Sequence, residues 1–286
     1  MRTAICISGH VRWYKDVLRN FFDMVYKPFK ELGEVDIFIH TWIDINGSNN
    51  SVSVIRNDTP KSSDRINFGE INYTFNPVDI VVEDYDMIKD NFIVDKFYPD
   101  EEVTIWKDIH VSDSNVVQQC IPMFYKWFQC NELKKKYEKL NNFKYDWVMK
   151  CRLDVFYFEP IKPLIWDNNY IYNRHGLDDT IFFSSSSNID IITNIYPNIK
   201  KLVEKYNLHC YWEGAADLLS SQLMDNNINR SHFKNLGELA YYLYPRQTFY
   251  KSCEYLFQRE NRLMDCAKVL FKYSDDLKIL YNPLKD

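Results

Sequence analysis

Within its first forty residues the chain reads strand, helix, strand, and that order restricts the fold more than any other feature. Thr3–Ser8 (TAICIS) is a short apolar run rich in β-formers, ending at Gly9. Apolar residues then recur at Val17, Phe21, Phe22, Val25, Phe29 and Leu32, a helical spacing that stops at Gly33. Val35–His40 (VDIFIH) reads as a second strand. Parallel neighbours need a crossover of a dozen or more residues, usually a helix, so this βαβ unit predicts an α/β fold with a mostly parallel sheet flanked by helices.

The rest of the chain extends the pattern. Val78–Glu83 and Trp147–Cys151 read as buried strands, with a long helix over 114–140 between them that Pro122 should kink or begin. Short strands are expected at Tyr170–Tyr172 and Ile181–Ser184. Helices are expected at Asn188–Tyr206, Glu213–Asn226 and over 249–271. Asp44–Pro77, rich in Asn, Ser, Gly and Asp, breaks periodicity and reads as a long loop with little regular structure. Lys134-Lys135-Lys136 reads as the solvated side of the long helix. A chain of 286 residues suits a single domain, with residues 1–160 as one half and 161–286 as the other.

Bulk properties exclude several functions. A net charge of −5 and a pI near 5.7 lack the basic stripe that nucleic-acid binding needs. The seven cysteines are odd in number and scattered without a C-x-x-C pair, a reducing-compartment pattern. No signal-peptide pattern opens the chain, and no run approaches the roughly 20 apolar residues of a membrane span. A soluble cytoplasmic protein is expected. With seven glycines, the chain has neither G-x-G-x-x-G nor a P-loop.

The chemistry gathers where the strands end. Ser8, Gly9, His10 and Arg12 follow the first strand: a glycine lets backbone approach a ligand closely, and the others supply donors. Arg152-Leu153-Asp154 follows the strand at Trp147–Cys151. The segment reads as extended, so Arg152 and Asp154 share a face, a guanidinium and a carboxylate suited to a diphosphate. Asp154 could hold a hard divalent cation, Mn²⁺ or Mg²⁺. Open α/β sheets bind ligands at this carboxyl edge. His40-Thr41-Trp42 ends the second strand, where a structural His is the favoured reading over one that touches a nucleoside.

The runs AICISGHVRWYKDVLRNFF, VDIFIHTW and YDWVMKCRLDVFYF, in that order, resemble the donor-binding half of GT-A-fold nucleotide-sugar glycosyltransferases. The likeness is to soluble ones of bacterial polysaccharide clusters and of large algal (chlorella-type) DNA viruses that glycosylate their capsid protein. It implies a Rossmann-type sheet with a mixed acceptor-side region after residue 160. It further implies that Ser8, Gly9 and Arg12 meet the nucleotide and Asp154 meets metal and diphosphate. Arg152 stands where the family's Asp-x-Asp has its first Asp, so arginine supplies part of the positive charge itself. The expected activity is transfer of a UDP-linked pentose or hexose, with xylose, glucose and galactose foremost, to a glycan or glycoprotein acceptor, a viral capsid glycan included.

Two acidic sites compete for the role of base in an inverting transfer: Asp178-Asp179, and Glu213 beside Tyr211 and Trp212. Glu213 is the preferred base, with Asp178 or Asp179 on sugar hydroxyls. The alternative from another class is a non-catalytic carbohydrate-binding or scaffold protein that kept the fold, for which the Arg at 152 is the argument.

Overall fold

The computed structural model describes residues 1–11, 14–44, 65–99, 116–161, 167–173, 180–208, 214–235, 241–243 and 272. The chain divides into two compact units. The first comprises Met1–Val11, Gly33–Arg152 and Asp167–Gly237; the second comprises Arg12–Leu32, Leu153–Trp166 and Glu238–Asp286.

The first unit is built on a seven-stranded sheet: β1 (Arg2–Ser8), β2 (Glu34–Trp42), β3 (Asp79–Glu83), β4 (Trp147–Cys151), β6 (Ile171–Asn173), β7 (Phe182–Ser184) and β8 (Phe233–Asn235), in the order β3-β2-β1-β4-β7-β6-β8. β1 pairs in parallel with β2 and β4, β2 with β3, and β6 with β8. β7 pairs antiparallel with β4 and β6, so it alone runs against the others. This is the mostly parallel, helix-flanked α/β sheet that the sequence predicts.

β1 from Thr3 to Ser8 and all of β4 are buried. Strands buried on both faces favour near-continuous apolar runs, which is why TAICIS and WVMKC are mostly apolar, Lys150 of the second being buried with its neighbours. The long helix Val116–Asn141 packs against β1 and β2, with Ile121, Phe124, Trp127 and Cys130 buried. Pro122 lies inside that helix, beyond its first turn. The expected helix over 188–206 is two, Ser186–Thr193 and Ile195–Tyr206, the first capped by Ser185 Oγ accepting from Asn188 N–H.

Two expectations are corrected. The 44–77 segment holds a helix at Phe68–Phe75, capped by Asn67 Oδ1, which accepts from Glu70 N–H, and closed by Asn76 at φ 42°. An Asx cap and a left-handed Asn at its two ends nucleate it despite weak periodicity. Lys134 is not solvated. It is fully buried, with Nζ donating to Asp190 Oδ1 at 2.7 Å and Ser186 Oγ at 2.6 Å, and it lies 3.6 Å from Glu138 Oε2. Cys6, Cys120, Cys130 and Cys151 are buried free thiols, and burial pushes the Cys151 thiol up to about 12.

In the second unit, helix Tyr14–Phe21 continues through a π-helical turn, Phe22–Tyr26, into Lys27–Lys30. Asn20 serves β5 (Val155–Tyr157) as a strand neighbour would. Its Nδ2 donates to Tyr157 O and its Oδ1 accepts from Tyr157 N–H, each at 2.8 Å. β5 pairs antiparallel with β9 (Tyr241–Leu243). The expected helix over 249–271 lies outside the described residues.

Lys134 carries a stability prediction. Removing one member of a buried charge network leaves the others uncompensated. Lys134→Met keeps the stem but takes from Glu138 and Asp190 their one buried cation, leaving only the exposed Lys144 against both, and should cost about 3 kcal/mol in urea unfolding.

Candidate functional site at the carboxyl edge of the sheet

β1, β2, β3 and β4 run side by side in one direction, so their carboxyl ends form a single edge of the first unit. Register decides which residues meet there. Ser8 is opposite His40, and Ile7 is opposite Cys151, so the next residues along each chain, Ser8 and Arg152, are neighbours. Ser8 is buried, and its Oγ has no hydrogen-bond partner among the described residues.

Gly9 turns the chain at φ +103°, its N–H donating to His40 O at 3.2 Å. A Cβ there would meet nothing within 4 Å. The need for glycine is therefore conformational, and among the described residues the space over the turn is open. His10 Nδ1 lies 3.1 Å from Asp44 O, with its ring centroid 6.4 Å from that of Trp42.

The edge also holds a cluster that sequence reasoning missed. Lys126, on the long helix, is fully buried. Its Nζ donates to Thr41 O at 3.0 Å and Glu83 Oε2 at 2.8 Å, and sits 3.4 Å from the centre of the Trp42 ring. Tyr125 O–H donates to Glu83 Oε1 at 2.9 Å. Burial pushes Lys126 down to about 7, against the opposing pull of Glu83. Burial, and then the charge of Lys126, push His40 down to about 2, so its imidazole is neutral. His40 Nδ1 has no hydrogen-bond partner among the described residues. The available signal was a lysine whose neighbours one helical turn away include Pro122, Met123 and Cys130.

Of the expected site residues, Ser8, Gly9, His10 and Arg152 therefore share this edge. β4 stops at Cys151 and the backbone bends at Leu153 and Asp154, so the strict alternation of an extended segment does not apply to Arg152 and Asp154. Asp154 is buried and belongs to the second unit. Among the described residues no group of three His, Cys, Asp or Glu side chains gathers that could hold a metal ion. The described residues do not by themselves build a cation site around Asp154. Arg12, Asp178, Asp179 and Glu213 lie outside the described residues, as does the greater part of the 44–77 segment. No helix among the described residues is long and apolar enough to cross a membrane.

No family model matches the chain, and no curated protein sequence does. Among solved structures, the chain is similar to the apo form of mouse xyloside xylosyltransferase 1, with a TM-score of 0.35 and 9% identity over 82% of this chain and 84% of that one. At that score the likeness carries no assignment of chemistry to this chain.

His40 yields a pH prediction. The unfolded imidazole takes up a proton near 6.5, whereas the folded one resists until about 2. Acid therefore favours the unfolded chain throughout that interval, and stability falls as pH drops below about 6.5. In His40→Gln the loss between pH 6.5 and 4 should be shallower. Thermal unfolding across that range, compared with the wild type, checks it.

Proposed function

We propose that this chain is a glycosyltransferase that moves a sugar from a nucleotide donor to a glycan acceptor. The observation that supports it best is the sheet's carboxyl edge, where the Ser8-Gly9-His10 turn adjoins Arg152, the residue just past the neighbouring strand. An open glycine turn beside a guanidinium suits a diphosphate, which needs close backbone approach and bidentate cationic donors. The resemblance of the first 160 residues to GT-A transferases points the same way. In this reading the donor is UDP-linked, with xylose first among the candidate sugars.

Transfer would proceed by in-line displacement. As the acceptor oxygen bonds to the anomeric carbon, the bond from that carbon to the diphosphate oxygen breaks. Glu213 accepts the proton that the acceptor hydroxyl releases, and Arg12 and Arg152 meet the negative charge left on the diphosphate. Asp178 and Asp179 hold sugar hydroxyls. One observation favours the second reading, a carbohydrate-binding protein without turnover: an arginine stands where the resembled family has the first carboxylate of its pair.

Thermal unfolding with and without UDP tests donor binding first. At a hundredfold excess over Kd, a ligand that binds only the folded state adds about 2.7 kcal/mol, a rise in Tm of roughly 5 °C or more. Hydrolysis of UDP-xylose, UDP-glucose, UDP-galactose and GDP-sugars then separates enzyme from binder. A UDP-induced rise with no turnover of any donor or acceptor favours the binding protein. No rise at all removes the donor reading.

The choice of base has its own test. Glu213→Gln keeps size but cannot accept a proton, so donor binding should persist while kcat falls about 10²–10⁴-fold. Asp178→Asn and Asp179→Asn should raise KM more than they lower kcat. A dead aspartate variant beside a nearly silent Glu213→Gln would move the base to that aspartate.

A further inference from the structure

Lys126 is expensive where it stands. Burying an ammonium costs several kcal/mol even when it is paired, and a Met or Leu would fill the same volume without that cost. What the charge gains is contact with three groups at one place. Thr41 and Trp42 are the last two residues of β2, and Glu83 is the last of β3. Lys126 Nζ holds the Thr41 carbonyl, the Trp42 ring face and one Glu83 oxygen, while the adjacent Tyr125 holds the other.

The constraint passes on to the glycine turn. The carbonyl before Thr41, that of His40, is the acceptor for Gly9 N–H. Fixing the end of β2 therefore fixes the turn after β1, where Ser8 adjoins Arg152.

We infer that Lys126 is the positioning residue that keeps the carboxyl ends of β2 and β3, and through His40 the Gly9 turn, in the form that receives the donor nucleotide. The inference rests on the donor reading of this edge. Lys126 does not touch the nucleotide; it acts through Thr41, Trp42 and Glu83. Its hold depends on charge, because both the ion pair and the attraction to the indole face are lost with the proton. The titratable groups facing it are Glu83 from β3, His40 from β2, and Tyr125 and Cys130 from its own helix. His40 is already neutral above acid pH. Burial brings the loss of the Lys126 proton down to about pH 7.

Two pH trends of opposite sign follow. The unfolded lysine keeps its proton to about 10.5, and the folded one releases it near 7. The unfolded chain therefore binds more protons between those values, and ligand-free stability contributed by this group rises with pH across that interval. Nucleotide affinity, which needs the charged form, falls over the same interval. A lysine that served only the fold would show the first trend without the second.

The test is calorimetric titration of UDP into wild type, Lys126→Arg and Lys126→Met at pH 7, 8 and 9, where the UDP phosphates stay ionised. In the wild type, affinity should fall by roughly tenfold or more from pH 7 to 9. Lys126→Arg keeps its charge throughout and should bind with a flat profile. Lys126→Met should be weak and flat. Thermal unfolding without ligand should show the wild type gaining on Lys126→Met as pH rises from 7 to 10. The wild-type profile stands alone if a variant fails to fold. Wild-type affinity that is unchanged from pH 7 to 9 overturns the positioning role and leaves the donor reading intact. UDP that binds at no pH removes the donor reading, and this inference with it.

Discussion

The rest of the structure depends on the double burial of β1. It lies between β2 and β4, parallel to both, and its residues from Thr3 onward are sealed from water. In such a strand the backbone donors and acceptors are consumed by two ladders, and the side chains by two apolar faces. Polar chemistry has nowhere to go but the ends. The chain duly turns polar at Ser8-Gly9-His10, after Trp42, at Glu83 and at Arg152. The carboxyl edge is thus where a strand able to form this core must place its polar side chains.

That logic also explains how far the sequence could be read. β4 has the expected bounds, Trp147–Cys151, because four of its five residues are apolar and even its lysine is buried. The nearness of Ser8 to Arg152 was accessible for the same reason, since parallel strands bring their carboxyl ends together. Helix Phe68–Phe75 was hidden, because only Ile71 and Phe75 of it are buried and its stability rests on the Asn67 cap rather than on an apolar stripe. The bend at Leu153 and Asp154 was hidden too, as nothing in VMKCRLDVFYF separates the end of β4 from the start of β5.

The buried lysines escaped for a different physical reason. Lys126, Lys134 and Lys150 are all essentially inaccessible, yet a periodicity analysis counts a lysine as a solvent-facing position. Each is made tolerable by groups remote in sequence. Glu83 stands 43 residues before Lys126, and Asp190 stands 56 residues after Lys134. Lys150 Nζ lies 3.8 Å from the centre of the Trp127 ring. Only tertiary structure supplies such partners, so no local pattern announces them. An aromatic-rich chain makes the arrangement more available, because an indole face can accept a cation where a second carboxylate would itself need desolvation.

The distribution of charge along the edge carries the argument one step further. On the β2–β3 side, Lys126 is matched by Glu83, His40 is neutral, Asp86 is matched by Lys89, and Asp44 and Asp84 stand against Arg65. Crowding among these acids is felt directly: burial, followed by the charge of Asp84, pushes the Asp44 carboxyl up. That side offers an anion no net attraction. On the β1–β4 side, the Gly9 turn is open and Arg152 is half-buried. A nucleotide donor on this edge would therefore lay its diphosphate over β1 and β4 and its uncharged nucleoside toward β2 and β3. The buried ammonium of Lys126 can then order the nucleoside side without competing for phosphate, because its charge is already spent on Glu83 and Trp42. In the proposed reading, attraction and rigidity come from different cations, Arg152 at the end of β4 and Lys126 against the ends of β2 and β3.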